Sequence, residues 1–257
     1  MYPILLELGP VTIYSLWIFV AIGFFAALLI INKLSQKTRL RLKFLADNSL
    51  AIFFAGLIVA RLFYVARNSA LFLTDLNLES FLQIFYIWDK GLSPWGAVAG
   101  ILAAVAYFAK KEGENIFKWL DVMAVSILGG MAFSNAGAFL DGRNFGRETD
   151  LPWGVVVENS LYAVPIHPTQ LYAALYTAIL AGVLFELFNH KISKEPGNIS
   201  LLAMTGYAFL RFIEEFLRGD ESNLILNLRE GFIYALLGIL VGGMLLYVRF
   251  KKPHGND

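Results

Sequence analysis

Seven stretches of about 20 mostly apolar residues, separated by short charged connections, leave this chain few ways to fold other than as helices crossing a bilayer. They lie near residues 12–32, 49–67, 95–109, 119–141, 169–189, 199–217 and 231–249, and the third is short and rich in glycine and alanine. With 58% hydrophobic and 16% charged residues, the chain lacks the polar surface of a soluble domain. The expected fold is all-α and integral to the membrane, a single polytopic domain over residues 1–257 with seven spans. Residues 69–93, where Leu71, Phe72, Leu76 and Phe81 mix with Asp75, Glu79 and Asp89, read as interfacial amphipathic helices between spans two and three. Met1 to Pro10 carries Glu7 and no Lys or Arg, so the first apolar run is expected to stay as a span rather than leave as a signal peptide.

Charge orients the spans, because cytoplasmic connections carry the Lys/Arg excess. With the N-terminus outside, the inner connections hold thirteen cations, from Lys33, Lys37, Arg39, Arg41 and Lys43 through to Arg249, Lys251 and Lys252. The longer outer connections hold six: Arg67, Lys90, Arg143, Arg147, Arg218 and Arg229. An outside N-terminus and a cytoplasmic C-terminus are therefore expected. The longest outer connection, about 142–168, is broken by Gly142, Gly146, Pro152, Gly154, Pro165 and Pro168 and reads as a functional loop.

Several function classes drop out on composition. A net charge of +1 gives no basic field for nucleic acid. The chain has no cysteine, which removes disulfides, thiolate-held metals and an enzyme thiol nucleophile. Its histidines, His167, His190 and His254, form no zinc-type pair, so neither a metal nor a cofactor is expected. Nothing suggests the inverted repeats of a small-solute transporter.

Ionisable residues inside spans each cost about 2.5–3.5 kcal/mol at the bilayer centre and so need partners or a task. The sixth span holds the densest set: Tyr207, Arg211, Glu214, Glu215 and Arg218. At about 100° per residue, Tyr207, Arg211, Glu214 and Arg218 share one stripe within about 60°. Two readings stand. Arg211 pairs with Glu214 or Glu215 and Arg218 snorkels, or the guanidinium captures an anionic lipid headgroup. Arg61 in the second span has the same two readings, snorkelling or function. Asp121 reads as a helix-start residue at a positive dipole end, and Glu186 with His190 as a local hydrogen-bonded pair. His167, just ahead of Pro168 at the outer end of the fifth span, is a candidate base or headgroup contact.

Three stretches together resemble the prolipoprotein diacylglyceryl transferases of bacterial inner membranes: residues 144–155 (NFGRETDLPWGV), 167–172 (HPTQLY) and 206–218 (GYAFLRFIEEFLR). Weaker echoes are Tyr14-Ser15, the segment 60–65 (ARLFYV) and the segment 88–93 (WDKGLS). The resemblance covers nearly the whole chain. It implies a multi-pass protein of the bacterial cytoplasmic (inner) membrane that moves a diacylglyceryl group from phosphatidylglycerol to the lipobox cysteine thiol of a preprolipoprotein signal peptide. It also implies roles for Tyr14, Tyr207 and His167 in catalysis and for Arg211 at the phospholipid headgroup, with Arg143 as a replacement cation and the span residues Arg61 and Asn135 as further headgroup candidates. Where the family reads Phe-His-Gly-Gly after Leu-Ser, this chain reads Pro94-Trp95-Gly96-Ala97. Where the family reads Gly-Arg-x-Gly-Asn-Phe-x-Asn-Gly-Glu, this chain has Ser134, Asn135, Ala138, Asp141 and Arg143 at five of those positions. The alternative is a catalytically silent relative that binds phospholipid or lipoprotein signal peptides as an accessory factor.

Overall fold

A computed structural model describes residues 3–8, 11–73, 82–86, 91–156 and 164–251. Eight α-helices are seen among them: α1 (Ser15–Thr38), α2 (Leu42–Arg67), α3 (Ser69–Leu73), α4 (Pro94–Glu112), α5 (Ile116–Asp141), α6 (Thr169–Leu187), α7 (Asn198–Glu215) and α8 (Glu230–Lys251). Five of them, α1, α2, α5, α6 and α8, are long and apolar enough to cross a membrane. The protein is thus a helical membrane protein, and α4 and α7 coincide with the other two expected spans.

The helices are not the whole of it. Ile4–Leu8 (β1) and Val11–Tyr14 (β2) form an antiparallel pair, so the first helix begins at Ser15, three residues later than its apolar run. Thr12, Ile13 and Tyr14 have the branched or aromatic side chains that favour extended backbone. A second, smaller hairpin joins Leu224–Ile225 (β3) to Leu228–Arg229 (β4). Of the expected interfacial arm, Ser69–Leu73 is helical, whereas 74–81 and 87–90 lie outside the described residues.

Two compact units are built, one from Arg39–Ile116 and the other from the residues before and after it. In the first, α2 and α4 approach through small residues: a Cβ added at Gly100 would lie 2.4 Å from Ala55 O, and one at Gly96 would lie 2.6 Å from Val59 O. Such close backbone approach is how helices gain packing without a hydrophobic drive between them in lipid. Ser93 caps α4, with Pro94 at its first turn, and Gly113 closes it in the left-handed conformation at φ 70°. Arg61 is buried beside them. Its guanidinium donates to the carbonyls of Gln83 (2.7 Å), Ile84 (2.8 Å) and Gly91 (2.9 Å), between the rings of Tyr64 and Phe72.

In the second unit α1 meets α5 where Gly23 and Gly130 touch, and α8 packs on α7 through Gly238 against Ala208 and Gly242 against Thr205. Buried hydroxyls of Ser126 and Thr177 bond back to their own helices at Val122 and Ala173. Asp121 behaves differently from its sequence reading. It lies five residues inside α5, and its carboxylate accepts from the backbone N–H of Gly197 and of Ser200, both at 2.7 Å, capping the start of α7 instead. Arg249 of α8 joins the same corner by donating to Asn198 Oδ1 at 3.1 Å. Glu186 accepts from Asn189, not from His190, and Lys37 at the end of α1 donates to the same Asn189.

Candidate functional site

The stripe on α7 becomes an ion-pair cluster at the helix's C-terminal end. Arg211 reaches down one turn, placing Nη1 2.6 Å from Glu214 Oε1 and Nη2 2.6 Å from Glu215 Oε2. The second contact is short but off the donor axis, an ion pair more than an aligned hydrogen bond. Helical spacing alone sets up these i,i+3 and i,i+4 pairs. Three residues complete the cluster from elsewhere in the chain: Tyr176 of α6 donates to Glu214 Oε2 at 2.6 Å, Arg229 of β4 holds Glu215 Oε1 at 2.6 Å, and Asp220 joins Arg218 to Arg229. Tyr207, one turn before Arg211, leans its ring toward Tyr176 with centroids 6.2 Å apart.

Three guanidiniums, Arg211, Arg218 and Arg229, thus face three carboxylates, Glu214, Glu215 and Asp220. Glu215 is 1% exposed. The carboxylate packs on Gly231, where an added Cβ would stand 2.5 Å from Glu215 Cδ and oblige it to shift. Sequence spacing exposed the α7 members of this set. It missed Tyr176, Asp220 and Arg229, whose signal was only a charge or a phenol with no partner at helical spacing.

The broken loop after α5 docks on the same end of α7. Arg147 N donates to Leu217 O, Gly219 N to Phe145 O, Gly146 N to His167 O, and His167 N to Arg147 O. The backbones run so close that a Cβ at Gly146 would fall 2.4 Å from His167 O, and one at Gly219 would fall 2.6 Å from Gly146 O. Arg218 reaches across to Asn144 Oδ1 at 3.2 Å. His167 is therefore joined by backbone to the α7 cluster.

The His167 ring has a chain of its own. Trp153 Nε1 donates to the Tyr172 hydroxyl at 2.7 Å, and that oxygen lies 3.3 Å from His167 Nδ1. The direction of that contact follows the imidazole tautomer: the hydroxyl donates to an unprotonated Nδ1 and accepts from a protonated one. In either case His167 Nδ1 and the Tyr172 oxygen share one proton.

The other candidates have different surroundings. Tyr14 closes β2 and sets its ring edge-on to Trp17 at 5.1 Å. Asn135 is half-buried on α5. Arg143 is exposed and pairs with Asp141, while its carbonyl accepts from the Gln170 side chain. Arg61 belongs to the other compact unit. Trp95, in the first turn of α4, is 55% exposed.

Comparison with known proteins adds the following. A family model described as prolipoprotein diacylglyceryl transferase matches residues 3–248. The phosphatidylglycerol–prolipoprotein diacylglyceryl transferase of Vibrio atlanticus (strain LGP32) is 30% identical, covering 99% of this chain and 93% of its own. The protein of that name in Vibrio parahaemolyticus serotype O3:K6 is 31% identical over the same shares, and the one in Clostridium tetani is 28% identical over 98% of this chain and all of its own.

Proposed function

This chain belongs to the prolipoprotein diacylglyceryl transferase family, and on that premise we propose that it moves a diacylglyceryl group from phosphatidylglycerol to the lipobox cysteine thiol of a preprolipoprotein. The observation that carries the reading is the semi-buried Arg211 cluster at a membrane helix end, with the His167 loop fastened to it by backbone. We place the protein in the bacterial inner membrane with seven spans, the N-terminus and this cluster on the outer side, in keeping with the Lys/Arg distribution.

In this scheme the substrate brings the nucleophile, since the chain has no cysteine. The cysteine proton leaves to a base, and the thiolate sulfur attacks the terminal glyceryl carbon. A C–S bond forms as the C–O bond to phosphate breaks, and the electron pair departs with glycerol phosphate. Arg211 offers a planar fork for that phosphate by exchanging a carboxylate partner for it. His167, in the tautomer that accepts from the Tyr172 hydroxyl, is the acceptor assigned to the thiol proton through that hydroxyl. Tyr207 and Tyr14 are assigned to catalysis and Asn135 and Arg143 to the headgroup, whereas Arg61, whose guanidinium is taken up by the carbonyls of Gln83, Ile84 and Gly91, is assigned to holding its own unit together.

A second reading has its own support. Arg211 is met at 2.6 Å by two carboxylates, and neither Trp95 nor Asn135 supplies the base or cation found at those positions in the family pattern. A silent relative would keep the lipid site and bind phospholipid or signal peptide without turnover. Expression in a bacterium depleted of its own transferase separates the two. A diacylglyceryl mobility shift on a reporter prolipoprotein supports the enzyme; phospholipid binding without any shift, with the protein present in the membrane, supports the binding factor.

A further inference from the structure

The segment between α7 and α8 carries a feature that transfer chemistry does not use. Leu224–Ile225 and Leu228–Arg229 pair around a two-residue turn in which both Leu226 (φ 53°) and Asn227 (φ 63°) are left-handed. Asparagine suits that turn, but leucine rarely adopts such a φ. The tip is apolar and uncovered: Leu224 is 64% exposed, Ile225 38%, Leu226 89% and Leu228 54%. Residues 222–228 contain no charge.

We propose that this hairpin is a membrane finger, inserting Leu224, Ile225, Leu226 and Leu228 into the lipid at the helix end from which it springs. Two observations choose lipid over other occupants. The first is reach. Leu226 stands four residues before Glu230, the first residue of α8, and at about 3.3 Å per residue it lies within about 13 Å of that helix's start. The headgroup zone on each side of a bilayer is about 5–8 Å deep, so the tip stays within a short distance of hydrocarbon. The second is continuity. At the foot of the hairpin, Phe216, Phe212 and Phe232 form a mutual edge-to-face cluster, with Phe216 exposed. Beyond it the α8 surface stays apolar and exposed through Leu236, Leu237 and Leu240. The finger extends a lipid-facing surface rather than interrupting a polar one. Its base is fixed, because Arg229 is clamped by Glu215 and Asp220 and Glu230 N donates to Asn223 O.

The inference does not depend on transfer activity, and its test does not read it. The cysteine-free chain allows Leu226→Cys to be labelled alone with an environment-sensitive dye in the full-length protein, reconstituted into phosphatidylcholine–phosphatidylglycerol vesicles. Lys191→Cys, on the exposed turn between α6 and α7, serves as the aqueous reference. Brominated lipid should quench the 226 label strongly, and aqueous iodide should quench it several-fold less than the 191 label. The same pattern is expected at Leu224→Cys, which leaves the strained turn untouched. Iodide quenching equal to that at 191 would overturn the proposal, as would protection from iodide that appears only when an apolar peptide is added.

Discussion

Replacing Glu215 by glutamine tests whether the charge cluster is a stabilising unit. The carboxylate is 1% exposed and faces Arg229 Nε and Arg211 Nη2, each at 2.6 Å. At an effective dielectric near 20, two unit charges about 4 Å apart attract by about 4 kcal/mol, so the two contacts represent roughly 8 kcal/mol before desolvation. Stripping water from three ions offsets much of that. Removing one partner from a buried ion pair typically leaves a net loss of about 3–5 kcal/mol, because the remaining charge is stranded. Glutamine keeps the shape and one acceptor, which places Glu215→Gln near the lower end, about 3 kcal/mol. Arg229→Met leaves Glu215 with Arg211 and should cost less, about 1–2 kcal/mol. The double variant should lose less than the sum of the two, with a coupling of about 1–3 kcal/mol. Equilibrium unfolding in mixed micelles, followed by circular dichroism, gives all four corners of the cycle. A coupling below about 0.5 kcal/mol, or a Glu215→Gln protein as stable as the parent, would refute the reasoning.

Arg211→Lys keeps the charge but loses the fork, so reporter lipidation in the rescue strain should fall by about tenfold or more, and Arg211→Ala should fall further. Asp121→Ala removes the cap from the start of α7 and should lower stability by about 1–2 kcal/mol in the same micelle assay, with Asp121→Asn intermediate. Gly146→Ala and Gly219→Ala put a methyl into backbone contacts and should detach the loop after α5, read as faster proteolysis after residue 142. Arg61→Met should speed amide exchange in the segment 82–86 and at 91, where it holds the carbonyls of Gln83, Ile84 and Gly91, without moving the exchange of α7.

What could be read in the sequence was what depends on near neighbours. The helices follow their apolar runs, and the Arg211–Glu214–Glu215 pairing follows from helical spacing. The cluster's outer members were hidden because Arg229 joins Glu215 across 14 residues of loop and hairpin, and Tyr176 joins Glu214 across 38. No periodicity reports such contacts. Asp121 shows the same limit: its charge suited a helix start, but the start it serves lies 76 residues on. The early end of the first apolar run was misplaced for a local reason, since Thr12–Tyr14 are hydrophobic enough for a span and branched or aromatic enough for a strand. Likewise α2 begins seven residues before its apolar window, because Lys43 and Asp47 disfavour hydrocarbon but not helix.

The cap that α5 lends to α7 also has a place in time. Asp121 is synthesised 76 and 79 residues ahead of the two amides it accepts from. At about 5–20 residues per second, that leaves its carboxylate without them for roughly 4–16 s during synthesis. An uncapped anion resists entry into hydrocarbon, which disfavours deeper insertion of this end of α5 before the start of α7 emerges. Arg249, which joins the same corner through Asn198, is the last of the group to be made. The residue that fastens two helices in the finished protein is, earlier, a marker of how far the first of them travels.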